Sequence, residues 1–195
     1  FLLGDFTVTH NTSTLKMLEE VLTGNGQYTA FNSSLVAESK TKFRRASCNT
    51  THSLAFRAVG KRYAHRLGSN RVRSSEVAAM LGLSDLEVTV NGTDGQVKTK
   101  RLDAGWQAGK VMGAIRRFCQ SADPQITEDH FRFVDGIDLP LPDGTRTRAN
   151  NDLLRSRLLP FARKAWQDLS LPEGKLPFQH DHYVKVWQLD KPVIA

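Results

Sequence analysis

Three aspartates, Asp135, Asp138 and Asp143, fall within nine positions, two before the turn "PDGT" and one inside it. Clustered carboxylates can hold Mg²⁺ for phosphoryl transfer. Asp and Gly are also the residues that turns require for their own geometry. The stretch "QHDHYVKVW" places His180 and His182 two apart. On a strand they share one side, where two imidazoles can bind a metal or act as acid and base. No third ligand is identifiable at a metal-binding spacing. Asp135, Asp138, His180 and His182 together describe a metal-dependent nuclease, the third-ranked reading of the chain. Cys48 lies among basic residues, a setting that lowers a thiol's pKa, but no partner base stands at a defined spacing. "TGNGQYTAF" lacks the Lys-Ser/Thr of a phosphate loop, and "HNTST" lacks its Gly and Lys, which argues against a nucleotide triphosphatase. No Ser-His-Asp arrangement is present. The sequence thus assigns no catalytic residue, no metal and no cofactor, and favours a non-enzymatic protein.

Charge is the stronger signal. The net charge is +7, from 27 Lys/Arg and 20 Asp/Glu. Ten of the basic residues fall between Ser39 and Ser75, with no Asp or Glu among them: Lys40, Lys42, Arg44, Arg45, Arg57, Lys61, Arg62, Arg66, Arg71 and Arg73. The rest of the chain is net acidic. A concentrated positive field costs stability and is better tolerated where a polyanion neutralises it. The first reading is therefore a nucleic-acid-binding protein that grips phosphates through residues 40–73, with Phe43 and Tyr63 available to stack on unpaired bases. The second is a coat or ribonucleoprotein subunit whose basic arm packs nucleic acid. A solvated basic face that only aids solubility is the plain alternative.

Within that region "EVAAMLGLS" resembles the first helix and turn of a bacterial helix-turn-helix reader. Val77 is apolar, Ala78 is small enough for a close crossing, and Leu81, Gly82 and Leu83 fit the turn. The resemblance covers nine residues of 195, and it is what tilts the reading towards DNA over RNA. The following "DLEVTVNGTDG" prefers strand and turn to a recognition helix. The two-helix unit is then either 53–67 with 74–82, flanked by a wing-like hairpin at 86–101 that adds Lys98, Lys100 and Arg101, or simply a helix that ends in a Gly cap and feeds a strand.

The elements that must position these residues follow from periodicity. "LLGDFTVT" reads as a short strand. "NTSTLKMLEEVLTGNG" reads as a helix with Leu15, Leu18 and Leu22 on one face. Residues 27–51 read as a short strand or turn and then a mobile basic loop, about 38–52. "HSLAFRAVGKRYAHRL" reads as one helix, with Phe56, Val59, Tyr63 and Leu67 inward. Arg57, Lys61 and His65 form one basic row and Arg62 with Arg66 a second. Ser74 or Ser75 caps the next helix and Gly82 ends it. Residues 86–101 form a hairpin. Asp103 caps a helix with Trp106, Met112, Ile115 and Phe118 inward, and Gly105, Gly109 and Gly113 suit close approach of another backbone. "HFRFVDGIDLPLPDGTRTR" alternates, with Phe131, Phe133, Ile137, Leu139 and Leu141 inward. Residues 149–169 form a helix kinked or split at Pro160, and "HYVKVWQL" reads as a closing strand.

The expected architecture is α+β, one compact domain over 1–195. It comprises about five helices, two or three β-hairpins and a flexible basic segment, with any weak boundary near 122–128. Homo-oligomerisation is possible. No apolar run is long enough to cross a bilayer, so the protein is expected to be soluble and without a membrane partner. The first residue is Phe, which suggests a fragment or a processed product, and "FLLGDFTVTH" is too short and polar for a signal peptide. Two cysteines, Cys48 and Cys119, make no disulfide framework. Sequons at Asn11, Asn32, Asn49 and Asn91 matter only in a secreted chain. The expected setting is intracellular, cytoplasmic or in a nucleoid or nucleus, or inside a nucleoprotein assembly.

Overall fold

The computed structural model describes residues 11–68, 72–91, 96–141, 143 and 145–193. The strand expected at "LLGDFTVT" lies outside them. The first described element, α1 (Asn11–Val21), buries little: Leu15 packs inward, while Leu18 and Leu22, expected beside it, are exposed with Met17 and Val21.

Residues 26–50 depart most from expectation. Where a mobile loop is expected, the chain forms β1 (Gly26–Ala30), α2 (Ser33–Lys42) and β2 (Ala46–Thr50). The strands pair in parallel, from Gly26↔Ala46 to Ala30↔Thr50. A parallel pair needs a long crossover, and α2 supplies it. Asn32 caps α2 by accepting the Leu35 N–H at 2.9 Å. Ala30, Val36, Phe43 and Cys48 close a small core beneath this unit.

β2 runs directly into α3 (Thr51–Ala58) through a capping box: the Thr50 hydroxyl accepts the Ser53 N–H, and the Ser53 hydroxyl accepts the Thr50 N–H. The single helix expected over 53–67 breaks at Val59. A 3-10 helix, Gly60–Arg66, follows it. Gly60 sits so close to Phe56 that a Cβ there would lie 2.6 Å from the ring.

α4 (Ser74–Leu81) ends at Gly82 in the left-handed conformation, φ 77°. Its N-cap is Arg73 rather than a serine, and Glu76 reaches back to the Arg73 N–H. β3 (Leu86–Asn91) and β4 (Val97–Leu102) form the expected antiparallel hairpin. α5 (Ala104–Cys119) is capped by Asp103 as expected. Of its three glycines only Gly105 meets another backbone: a Cβ there would lie 3.4 Å from the Ser75 nitrogen.

Of the hairpin expected at 131–148, the described residues keep a short stretch: an isolated bridge of Pro140 with Arg146, flanked by N–H bonds from Leu141 to the Thr145 carbonyl at 2.7 Å and from Thr147 to the Leu139 carbonyl at 2.8 Å. Phe131 and Ile137 are buried as expected, but Phe133 and Leu141 are exposed. α6 (Ala149–Ser170) passes through Pro160 without interruption. The C-terminal "HYVKVWQL" is not a strand but α7 (His180–Leu189), with Tyr183 and Lys185 buried.

The described residues thus form one α+β domain with seven α-helices, two 3-10 helices and two two-stranded sheets. The main core joins α4 through α7 and the hairpin, centred on Val111, Ile115, Phe118, Leu158 and Leu169. α3 packs on α7 and α4 packs on α5.

Candidate nucleic-acid interface

The parallel register brings the carboxyl ends of β1 and β2 to one edge. In open α/β arrangements that edge is where ligands bind. β1 continues into Phe31, which is 92% exposed, and then into the start of α2. β2 continues into the start of α3. Two helix N-termini, each carrying partial positive charge, therefore begin at this edge. His52, in the first turn of α3, is exposed there, with its Nε2 3.2 Å from Asp181 Oδ1.

One face of the pair carries Tyr28 and Cys48 into the small core. The alternation places Gln27, Thr29, Ser47 and Asn49 on the other face. Arg57 lies over that polar face: its Nη2 donates to Asn49 Oδ1 at 2.6 Å, and Gln27 donates to the Ser47 carbonyl at 2.6 Å.

Lys40 and Lys42 are exposed in the last turn of α2, at the opposite, amino end of the strands, and Lys42 pairs with Glu38. Arg44 and Arg45 have exposed side chains on a fixed backbone. The N–H groups of Arg44, Arg45 and Ala46 all donate to the Glu19 carboxylate, at 3.2, 2.5 and 2.9 Å. Desolvation alone would raise the Glu19 pKa; these donors prevail and hold it below the usual value. Five strand residues separate Arg45 from Thr51, about 16 Å of polar face. Lys61 and Arg62 are exposed on the 3-10 helix, with Arg62 5.1 Å from the Tyr63 ring centre. Arg73 is exposed before α4. Arg71 lies outside the described residues. On the hairpin Lys98, Lys100 and Arg101 are exposed, and Arg101 donates to Asp85.

Arg66 is the exception, and the paired row expected for Arg62 and Arg66 does not exist on the surface. Arg66 is 6% exposed. Its guanidinium donates to the carbonyls of Leu171 and Leu176, faces Asp168 at 3.5 Å, and lies 4.6 Å from the Phe178 ring centre. Phe43 and Tyr63, expected to stack on bases, are buried too.

The metal readings also lose their geometry. Asp138 is buried and accepts the N–H groups of Asn150 and Asn151 at the start of α6. Asp143 holds its own turn through Thr145. His180 and His182, two apart on a helix, point about 200° apart rather than to one side. His182 is buried, accepts the Gln179 N–H at 3.0 Å, and burial pushes its pKa down to about 4. His180 instead contacts the Tyr183 hydroxyl at 3.0 Å. Among the described residues no group of three or more His, Cys, Asp or Glu could hold a metal. Burial raises the Cys48 pKa, against the lowering expected from its basic neighbours. The helix-turn-helix arrangement fails as well, since β3 follows α4 and α4 packs on α5 rather than on α3.

Charge reasoning missed Phe31, His52 and Glu19.

No family model and no solved structure matches the chain. The chain is 26% identical over 202 aligned positions to F-box DNA helicase 1 of Gallus gallus. That alignment covers 97% of this chain and 18% of the relative, so the chain spans under a fifth of that protein's length. No described helix is long and apolar enough to cross a membrane.

Proposed function

We propose that the chain is a non-enzymatic module that binds nucleic acid along its phosphate backbone, DNA before RNA, in an intracellular or nucleoprotein setting. The observation that carries this reading is the set of exposed basic side chains at Lys40, Lys42, Arg44, Arg45, Arg57, Lys61, Arg62 and Arg73, drawn from a stretch without a single carboxylate. The polar face between Arg45 and Phe31 offers amide and hydroxyl groups along the path. Phe31 offers an exposed ring on which a base can stack. The relative's printed name, a DNA helicase, favours DNA.

Fluorescence anisotropy with labelled oligonucleotides across a salt series tests the reading. Six phosphate contacts give a slope of log K against log salt near −5 on duplex and about −4 on a single strand. Arg44→Ala with Arg45→Ala and Arg57→Ala should flatten the slope by about two to three units, and Phe31→Ala should weaken single-strand binding roughly tenfold. A flat salt dependence, or no binding to DNA or RNA at low salt, refutes the proposal.

A further inference from the structure

α6 is 22 residues long, which makes it a strut of about 33 Å. Arg66 and Tyr63, beside Lys61 and Arg62, grip its C-terminal end through the Leu171 and Ser170 carbonyls. The β3–β4 hairpin meets its N-terminal end, where Asn150 donates to the Thr89 carbonyl. The hairpin therefore stands about 30 Å from the 3-10 helix.

That far end has a surface of its own. Two clefts, of about 280 and 240 Å³, adjoin there and share Val134 and Asp135. One is lined by Lys100 of β4 and by Trp106 and Lys110 of α5. Phe133, Arg146 and Arg148 line the other. Lys110 Nζ lies 4.6 Å from the Trp106 ring centre. Phe133 is 48% exposed, with Arg148 at 5.2 Å and Arg155 at 5.0 Å from its ring centre. Two of the carboxylates that reach these clefts are already committed. Asp103 caps α5, and Asp138 holds the first N–H groups of α6. Asp135 is exposed and adds a negative charge to the shared wall.

We propose that this hairpin-end surface is a second contact for the same nucleic-acid strand, with single-stranded segments as its ligand. The inference rests on the nucleic-acid reading above and extends it. Half-exposed rings faced by cations suit stacked bases and their phosphates together. Arg146 and Arg148 come from the turn and the cap before α6, and Lys100 and Lys110 from β4 and α5, so the charges are set on packed elements. A strand that touches both ends must span about 30 Å, roughly nine stacked nucleotides.

The test is anisotropy on the whole chain with labelled oligothymidylate of about 20 nucleotides and of about four, which cannot span the strut. The variant Lys100→Ala/Phe133→Ala/Arg148→Ala alters only exposed side chains, and circular dichroism checks its fold. It should bind the long probe at least tenfold more weakly, with a salt slope flatter by about 1.4 units for its two lost cations. Its binding of the short probe should change by no more than about twofold, since the first surface still offers a site. Asp135→Asn should tighten the long probe by a few-fold, because it removes a charge that repels phosphate. Equal affinity of wild type and triple variant for the long probe overturns this inference while leaving the first surface standing. Loss of all wild-type binding overturns both. A poly-glutamate peptide that binds wild type as tightly as the long probe, and loses affinity equally in the variant, assigns the surface to acidic peptides and overturns it as well.

Discussion

Arg66→Ala separates a structural cation from a ligand-binding one. The side chain has two close charge-assisted bonds, to the Leu171 carbonyl at 2.5 Å and the Leu176 carbonyl at 3.0 Å. Longer contacts reach Asp168 and Leu169 at 3.4 Å, and Asp168 Oδ1 at 3.5 Å. Two such bonds contribute roughly 1.5–3 kcal/mol each. Recovered solvation offsets part of that sum: burial is the largest influence on this guanidinium and lowers its pKa. Removing one partner of a buried pair costs about 3–5 kcal/mol in all. For a chain of this length each kcal/mol moves the midpoint about 2–4 °C, so the melting temperature should fall by roughly 6–20 °C. Thermal melting by circular dichroism and urea titration measure it. Arg62→Ala, four residues earlier and exposed, is the control and should stay within about 0.5 kcal/mol of wild type. Arg66→Lys should rescue little, because an ammonium cannot reproduce the planar fork. Where Arg66→Ala remains folded, its salt slope for nucleic acid should match wild type. A variant with unchanged melting and weakened binding would show that Arg66 faces the ligand and would refute this account.

Two further outcomes follow from buried titratable groups. His182 is held neutral with its pKa pushed down to about 4, against about 6.5 in an unfolded chain. The unfolded state therefore binds the extra proton first. Stability should be full above about pH 6.5 and should fall as pH drops towards 4, by up to about 3 kcal/mol, in urea titrations across that range. His182→Gln should lose most of that slope. Burial pushes the Cys119 thiol up to about 12, and burial also raises Cys48. Cys119 should not react with iodoacetamide in the native protein at pH 8, Cys48 should react only as fast as its small core opens, and mass spectrometry should find both alkylated in denaturant; rapid native labelling of Cys119 would contradict its burial.

Local signals in the sequence located what local physics determines. Asp103 before an apolar helical stripe, Gly82 at a helix end and the alternating residues before a Gly-containing turn gave α5, α4 and the hairpin. Non-local pairing was not legible. β1 finds β2 twenty residues away, with a helix between them, and Ser/Thr-rich strands resemble loops when the partner is unknown. "HYVKVWQL" has β-branched and aromatic residues suited to a strand. Packing of Tyr183 and Lys185 against the core makes it helical instead. The candidate site was legible as charge and not as geometry. Arg66 reads like its neighbours in sequence, yet the carbonyls that bind it lie about a hundred positions later. Phe133, read as inward from alternation, lies outside any described strand, so a period of two does not fix its side, and its ring is half exposed.

The small core under β1, α2 and β2 has a thermodynamic consequence. Four buried side chains close it, against more than twenty in the main body. Burying each contributes roughly 1–3 kcal/mol before chain entropy is subtracted, so this unit opens at far lower free energy than the helices behind it. Its amides should exchange with solvent well before those of α5 and α6. The closed unit is the one that presents Phe31 and the polar face, so under the proposed nucleic-acid function apparent affinity should scale with its closed population. Substitutions at Val36 or Phe43, which touch no ligand, should therefore act as affinity variants, and bound nucleic acid should slow exchange across residues 26–50.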